Sequence, residues 1–133
     1  MNDRLSRRRP LSTAVAAADY GEDAVVVAVF GELDAASTSR LQERLAEAFA
    51  ARPRAILVEA AEVTFCSAGI LSLLLAAADN ARTAGIPFAV HTHSRSMLRP
   101  VRLLGLEKAL PTHGNSADAR EWLQTAGRLG RCP

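Results

Sequence analysis

The sequence has few aromatic residues and almost no net charge, and both shortages limit what it could bind. Aromatic side chains make up 5% of the 133 residues, and the formal net charge at pH 7 is +2. Proteins that bind nucleic acid usually present a basic surface, and those that bind single strands add aromatic stacking surfaces. We therefore expect no direct contact with nucleic acid.

Long apolar segments are also missing. A membrane-spanning helix needs about 18 or more consecutive apolar residues. The longest candidate here, Ala68–Ala78, is only long enough for a buried helix. The first residues include several arginines, but no apolar segment follows them directly, so the chain start does not match a signal peptide. The sequence therefore predicts no membrane association.

Cysteine is scarce, because Cys66 and Cys132 are the only two in the chain. They are far apart in sequence and match no Cys-x-x-Cys spacing, which argues against a disulfide framework. We expect the protein to be cytoplasmic, where thiols stay reduced.

The composition that remains is that of a globular domain. Hydrophobic residues make up 49% of the chain and charged residues 23%, which suits one domain with one core. Residues 1–10 are polar and basic and end in proline, so they are predicted to form a flexible tail. The folded domain is predicted to span residues 11–125, followed by a C-terminal tail over residues 126–133.

Short runs of apolar and β-branched residues predict five strands. These runs are Leu11–Ala18, Ala24–Phe30, Ala55–Val58, Ile86–Val90 and Ala109–Thr112. The segment Gly31–Asp34 is predicted to end the second strand, and Glu59–Phe65 is predicted to be a loop.

Apolar residues at helical spacing predict four helices. They cover Ser37–Ala50, Cys66–Ala84, Ser96–Leu104 and Ser116–Thr125. Gly85 is the expected C-cap of the second helix. The resulting order, β-β-α-β-α-β-α-β-α, predicts an α/β fold with a mostly parallel sheet and a mixed edge.

Ser67 is the first candidate for a functional residue. It lies at the start of the second predicted helix, where free backbone N–H groups and the helix dipole favour negative charge. A phosphate on Ser67 would be stabilised there. The structural alternative is that Ser67 only caps the helix, and spacing alone favours it, because serine is among the commonest N-cap residues.

A small hydrolase is the alternative from a different functional class. A serine on a strand-to-helix turn resembles the nucleophile elbow Gly-x-Ser-x-Gly, but Phe65 replaces its first glycine. His91, His93 and His113 are candidate bases, yet the sequence shows no acid–histidine arrangement. The sequence therefore favours a protein that is not an enzyme.

Cys66 and two of the histidines offer weaker signals. A helix N-terminus could lower the pKa of the Cys66 thiol, but no arginine follows to hold a phosphate, so a small packing residue is the favoured interpretation. His91 and His93 could share one side of a strand end, yet without a nearby Cys, Asp or Glu they are a weak metal signal. We expect neither a metal nor a cofactor.

Several segments, in this order, resemble the STAS domain of bacterial anti-sigma factor antagonists. They are Val29–Asp34, Ala55–Val58, Val63–Ile70, Ala81–Gly85 and Arg102–Leu106. The resemblance extends over Leu11–Leu123, which is nearly the whole predicted domain. It implies a STAS-type mixed β-sheet with about four helices packed mainly on one side.

The resemblance also implies a regulatory switch between protein partners. Members of this family bind an anti-sigma factor, often one that is also a serine kinase, and so release a sigma factor. The kinase phosphorylates a serine at the start of the second helix, which ends the contact, and a phosphatase restores it. Ser67 matches that serine. The residues implied in partner binding are Gly31, Glu32, Leu33, Asp34, Cys66, Ser67, Ala68, Gly69 and Arg82.

The sequence departs from the family pattern Phe-x-Asp-Ser-(Ser/Thr)-Gly beside this serine. Three residues rather than four separate Phe65 from Gly69, and, counted from Gly69, Cys66 stands in place of the aspartate. Either the switch works with altered geometry, or the protein binds without being efficiently phosphorylated. A STAS scaffold module of a larger signalling assembly is the remaining alternative.

Overall fold

One mixed sheet organises the protein. The structure is a computed structural model that describes residues 11–15 and 24–130. Its sheet has the strand order β1-β2-β3-β4-β5. The strands are β1 (Leu11–Val15), β2 (Ala24–Leu33), β3 (Ala55–Cys66), β4 (Phe88–His91) and β5 (Thr112–His113). β1 is antiparallel to β2 and the other neighbours are parallel, which confirms the predicted mixed sheet.

Four α-helices connect and follow the parallel strands in the described part of the chain. They are α1 (Thr38–Ala50), α2 (Ala68–Ala84), α3 (Arg95–Leu103) and α4 (Ser116–Gly130), and a short 3-10 turn, Ala35–Ser37, precedes α1. The predicted order of strands and helices is confirmed. Both ends of α2 have residues that commonly cap helices. Ser67 is its N-cap, and Gly85, with a φ of 75°, is its C-cap.

Helices α1, α2 and α3 cover one face of the sheet. Each parallel connection moves to the next strand in the same direction, and right-handed connections of this kind place their helices on the same side. Alternate strand residues point towards these helices. Val27 and Val58 are examples: both are fully buried in the main core, which also contains Leu74 of α2.

Helix α4 covers the opposite face. A smaller apolar cluster lies beneath it, formed by Ala55, Leu57, Ala89, Ala119 and Leu123. The strand members of this cluster alternate with the residues of the main core. The predicted arrangement, with the helices mainly on one side of the sheet, is therefore confirmed.

Strands β2 and β3 are longer than predicted. The break expected at Gly31–Asp34 and the loop expected at Glu59–Phe65 are both wrong, because the ladder continues until Leu33 pairs with Cys66. Its register shifts twice, once between Ala28 and Phe30 and once just after Gly31, whose φ is 80°. Such irregularities interrupt the period-two pattern by which a strand is recognised in a sequence.

Other boundaries differ by a few residues. β5 lies at Thr112–His113 rather than Ala109–Thr112, and α4 continues to Gly130 rather than ending at Thr125. The tail predicted for residues 1–10 lies outside the described residues, as do residues 16–18 of the first predicted strand and residues 131–133. Within the described ranges, no helix is both long enough and apolar enough to cross a bilayer.

Candidate functional site

Ser67 connects the end of β3 to the start of α2. Its backbone is extended (φ −74°, ψ 162°), and its Oγ atom accepts a hydrogen bond from the Ile70 N–H at 3.2 Å. This is the geometry of an N-cap, which satisfies one of the free N–H groups in the first helical turn. The structure therefore confirms the capping role that spacing alone favoured.

The backbone of Ser67 is fixed from two directions. Its N–H donates to the carbonyl oxygen of Leu33 at 2.9 Å, and its own carbonyl accepts from the Leu71 N–H at 3.0 Å. The first bond joins the end of β2 to the start of α2. The segment Gly31–Asp34 and Ser67, which are far apart in the sequence, are neighbours for this reason.

An exposed patch surrounds the hydroxyl group. We call it the serine face, and it consists of Glu32, Asp34, Ser67, Ala68 and Gly69. Ser67 itself is half-buried, and the other four residues are exposed. The hydroxyl group is thus at the surface of the protein and not sealed in the core.

The serine face is electrostatically one-sided. It contains the carboxylates of Glu32 and Asp34 and no cationic side chain. Asp34 is partly engaged, because its carboxylate caps the 3-10 turn by accepting from the Ala36 N–H at 3.1 Å. The helix N-terminus beside Ser67 is the positive feature of the patch, since its N–H groups point outwards.

Gly69 leaves open space above the serine. A Cβ atom built on Gly69 would lie 3.9 Å from the Oγ of Ser67, an ordinary van der Waals contact, and within 4 Å it would meet no other described atom outside the adjacent residues and the helix backbone. The backbone does not require glycine here for steric reasons. The absence of a side chain instead keeps one side of the hydroxyl group open.

Two of the implied partner-binding residues lie beneath the serine face. Leu33 is fully buried and Cys66 is 7% exposed, and both belong to the main core. Burial raises the pKa of the Cys66 thiol from 9.0 to about 11. The helix N-terminus, which could have lowered this pKa, does not do so, because desolvation of the thiolate dominates. Cys66 is a packing residue.

Arg82 is not part of the serine face. It lies 15 residues after Ser67 on α2 (82 minus 67), which corresponds to about 22 Å at a rise of about 1.5 Å per residue. Its guanidinium forms an exposed ion pair with Asp79 at 2.8 Å. Most of the other predicted residues lie around or beneath Ser67, Gly31 pairs with Val63 further back along β2, and Arg82 belongs to the far end of the helix.

An acid–histidine pair that the sequence did not reveal lies elsewhere in the sheet. His91 Nδ1 is 2.6 Å from Glu59 Oε2, because the two residues are register partners in β4 and β3. Their separation along the chain gives no sequence signal of this contact. The Oγ atom of Ser67 accepts from the Ile70 N–H, and the hydrogen bonds of the described residues include none between Ser67 and a histidine, so they do not assemble a serine–histidine–acid triad.

The remaining histidines do not form a metal site with this pair. His93 is exposed and meets the His91 ring edge-on, with 5.2 Å between the ring centroids. His113 lies beside Trp122, and burial lowers its pKa from 6.5. Among the residues that the structure describes, no group of three or more His, Cys, Asp or Glu side chains could hold a metal ion.

Phe65 is a surface residue that sequence analysis treated only as part of a motif. It is 47% exposed, and few other large apolar side chains in the described part of the chain are exposed. It pairs with Glu32 in the register and lies two residues before Ser67. Strand alternation turns its side chain to the sheet face opposite that of Cys66. The sequence signal that could have identified it is an aromatic residue two positions before the predicted site.

Comparisons with known proteins agree with this architecture. The family model described as "Mlab, STAS domain" matches residues 16–112. The anti-sigma-F factor antagonist RsfB of Mycobacterium tuberculosis, found in strains CDC 1551 and H37Rv, is 28% identical over 122 residues. This alignment covers 92% of the chain and 98% of that relative.

A solved structure also has this fold. It is an anti-sigma factor antagonist from Mycobacterium paratuberculosis, with a TM-score of 0.72 and 24% sequence identity. The superposition covers 86% of the chain and 94% of the solved protein.

Proposed function

The chain belongs to the STAS domain family, and we propose that it acts as an anti-sigma factor antagonist. It binds an anti-sigma factor, and a sigma factor is released as a result. The relatives named above support this role. Both are described as anti-sigma factor antagonists, and the similarity extends over 98% and 94% of their own lengths. The protein acts in the cytoplasm, where transcription takes place, and as a binding protein rather than an enzyme.

The observation that carries this proposal is the position of Ser67. A half-buried serine caps α2 where the ends of β2 and β3 meet, and the residues around it are exposed. The partner docks on the serine face, and the buried side chains of Leu33 and Cys66 hold that face in place from below. Phe65 lies near the C-terminal end of β3, next to the serine face, and a partner that extends beyond the serine face covers it.

Phosphorylation of Ser67 by a kinase-type anti-sigma factor releases the partner. A phosphate adds about −1.5 to −2 charges to a face that already contains two carboxylates and no cation. The N-terminus of α2 stabilises this charge, so the fold persists. Docking, however, requires removal of the water molecules that solvate the phosphate. Without a cation on the partner, this desolvation raises the free energy of the complex. A phosphatase reverses the change.

Cys66 makes this switch differ from the family pattern. The family pattern has an aspartate beside the serine, whereas Cys66 is a buried, protonated thiol. No acid next in sequence to Ser67 orients its hydroxyl. The kinase must supply that group, and we expect phosphorylation that is slow but specific for Ser67.

The test is a phosphorylation assay with a kinase-type anti-sigma factor from the same organism, ATP and the full chain. We expect mass spectrometry to find the phosphate on Ser67 and Ser67→Ala to remain unmodified. Ser72→Ala is the matched control, because Ser72 is an exposed serine on the same helix. Phosphate at another residue, or equal labelling of Ser67→Ala, would contradict the proposed switch.

Binding itself is tested by calorimetry with the same anti-sigma factor. The unmodified chain should bind in the absence of ATP, and the chain phosphorylated on Ser67 should not. If the unmodified chain fails to bind any of the organism's anti-sigma factors, the proposed function is wrong irrespective of phosphorylation.

A further inference from the structure

A cavity opens at the end of the molecule opposite Ser67. It has a volume of about 300 Å³ and lies between the C-terminal end of α2, the start of β4, the segment before β5, and α4. This volume is at the lower end of the range for small-molecule sites, about 300–1,000 Å³. The cavity therefore suits a small ligand.

The walls of the cavity are apolar and firmly attached to the sheet. Pro87 and Pro111 line it and have no N–H to satisfy. Their carbonyl oxygens accept hydrogen bonds from the N–H groups of Ile56 and Val90, each at 2.9 Å. Phe88, which is 3% exposed, forms another part of the wall. The cavity is thus preformed and offers an apolar ligand no unsatisfied backbone group at these positions.

Two cations, and no acid, are among the described residues that line the cavity. They are Arg82 and Lys108, and both are exposed at its rim. Arg82 pairs with Asp79, but both side chains are more than half exposed, and such pairs are weak. The ion pairs found among the described residues do not include Lys108. An anionic group at the rim would therefore meet Lys108 and the guanidinium of Arg82, which it would share with the carboxylate of Asp79.

The repulsion of an anion by the C-terminal end of α2 is reduced by hydrogen bonds to two of its last carbonyl groups. Free carbonyl groups at a helix end would repel negative charge. Here the Gly85 N–H donates to the Arg82 carbonyl at 3.1 Å, and the Ile86 N–H donates to the Ala81 carbonyl at 2.8 Å. These bonds satisfy two of the carbonyl groups that a helix end leaves free.

We propose that this cavity binds a small organic anion with an apolar body, such as an aryl or branched alkyl carboxylate. The hydrocarbon part lies against Pro87, Phe88 and the half-buried indole of Trp122, and the carboxylate lies between Arg82 and Lys108. A neighbouring hollow of about 330 Å³ shares Lys108 and Trp122 but is also lined by Glu107. That carboxylate makes the neighbouring hollow the poorer site for an anion.

The cavity is separate from the serine face. Gly85, at its rim, follows Ser67 by 18 residues (85 minus 67) along and beyond α2, or about 27 Å at about 1.5 Å per residue. A ligand in the cavity does not overlap a partner on the serine face. This inference therefore stands or falls independently of the proposed function.

The test uses the fluorescence of Trp122, the only tryptophan of the chain. The full chain is titrated with 4-phenylbutyrate and, separately, with its neutral amide at pH 8. At this pH the neighbouring His113 stays uncharged, because burial lowers its pKa from 6.5. We expect a saturable change with the acid and an affinity at least about tenfold lower for the amide.

Charge variants separate specific binding from general apolar adsorption. Arg82→Gln combined with Lys108→Gln should lower the affinity for the acid about tenfold or more and leave that for the amide unchanged. Arg95→Gln combined with Arg99→Gln is the matched control, since both arginines are exposed on α3 and do not line the cavity. The control should bind the acid as the unmodified chain does.

A variant that fills the cavity gives a second, independent readout. Ala109 is half-buried in the wall, and Ala109→Leu should abolish binding of acid and amide alike while the circular dichroism spectrum stays unchanged. Three results would overturn the inference: no saturable change up to about 10 mM of acid, equal affinities for acid and amide, or an unaltered affinity in the Arg82→Gln and Lys108→Gln variant.

Discussion

At the scale of single residues, the Oγ atom of Ser67 belongs both to the start of α2 and to the proposed docking surface. It accepts from the Ile70 N–H at 3.2 Å, so a substitution here alters the helix as well as the surface. The two effects can be separated by the choice of the new residue, because aspartate caps a helix as well as serine does, whereas alanine does not.

Ser67→Ala should lower the free energy of unfolding by about 1 kcal/mol, because the cap is lost. Ser67→Asp should stay within about 0.5 kcal/mol of the unmodified chain, because its carboxylate caps the helix and suits the positive helix end. Urea unfolding followed by circular dichroism measures both values. A larger loss for Ser67→Asp than for Ser67→Ala would contradict this description of the helix start.

Cys66 should be unreactive in the folded protein. Burial raises its pKa from 9.0 to about 11, which lowers the thiolate fraction at pH 8 about a hundredfold. Labelling with Ellman's reagent in a Cys132→Ser background, where Cys66 is the only thiol, measures this. We expect slow labelling without urea and rapid labelling in urea, whereas equal rates in both conditions would show that the thiol is accessible.

His113 should make the protein less stable in mild acid. Burial lowers its pKa from 6.5, with Asp118 acting in the opposite direction. The unfolded chain therefore binds this proton more readily than the folded protein, and stability falls as the pH drops below about 6.5. The urea midpoint should decrease from pH 7.5 to pH 5.5, and less steeply for His113→Gln. Equal slopes for both proteins would exclude this role.

At the scale of elements, α2 could be predicted almost to the residue, whereas β2 and β3 could not. A serine and a glycine mark the two ends of α2, and such capping residues can be recognised in the sequence without knowledge of the fold. The extra length of β2 and β3 comes from pairing with each other, through two shifts of register. Isolated segments do not contain that information, so Gly31–Asp34 and Glu59–Phe65 looked like turn and loop.

Gly69, in the first turn of α2, and Gly85, its C-cap, should respond to alanine in opposite ways. Gly85 has a φ of 75°, and Gly85→Ala should cost about 1 kcal/mol because a side chain is strained in this region. Gly69→Ala meets only an ordinary contact at 3.9 Å and should gain up to about 1 kcal/mol from better helix propensity. Thermal unfolding measures both, and a loss of stability in Gly69→Ala would contradict the open space described beside Ser67.

At the scale of the whole molecule, the alternation of strands and helices was enough to predict a mostly parallel sheet with a mixed edge. The side on which the helices lie was implied by the resemblance to the STAS domain. The serine face was largely predictable as well, because the family motif and the end of β2 both point to it. Contacts across strands were not. Examples are the Ser67–Leu33 backbone bond, the Glu59–His91 pair and the cavity beside Trp122, and all of them depend on which elements become neighbours in the sheet.

The two ends of α2 give the molecule two separate surfaces. Ser67 lies at one end, among carboxylates and small residues, and Arg82 lies at the other, at the rim of an apolar cavity. This division explains why Arg82, implied in partner binding by resemblance, does not join the other residues of the serine face. The resemblance was enough to predict that Arg82 lies on this helix. It was not enough to predict to which of the two surfaces Arg82 belongs.

The most direct test of the account compares the affinities of two variants for the anti-sigma factor that the unmodified chain binds. Ser67→Asp places a charge on the serine face without removing the helix cap, and Thr83→Asp places the same charge on an exposed position at the far end of α2. Calorimetry should show at least about a tenfold loss of affinity for Ser67→Asp and no change for Thr83→Asp. Equal affinities for Ser67→Asp and the unmodified chain would contradict the claim that charge at Ser67 controls docking.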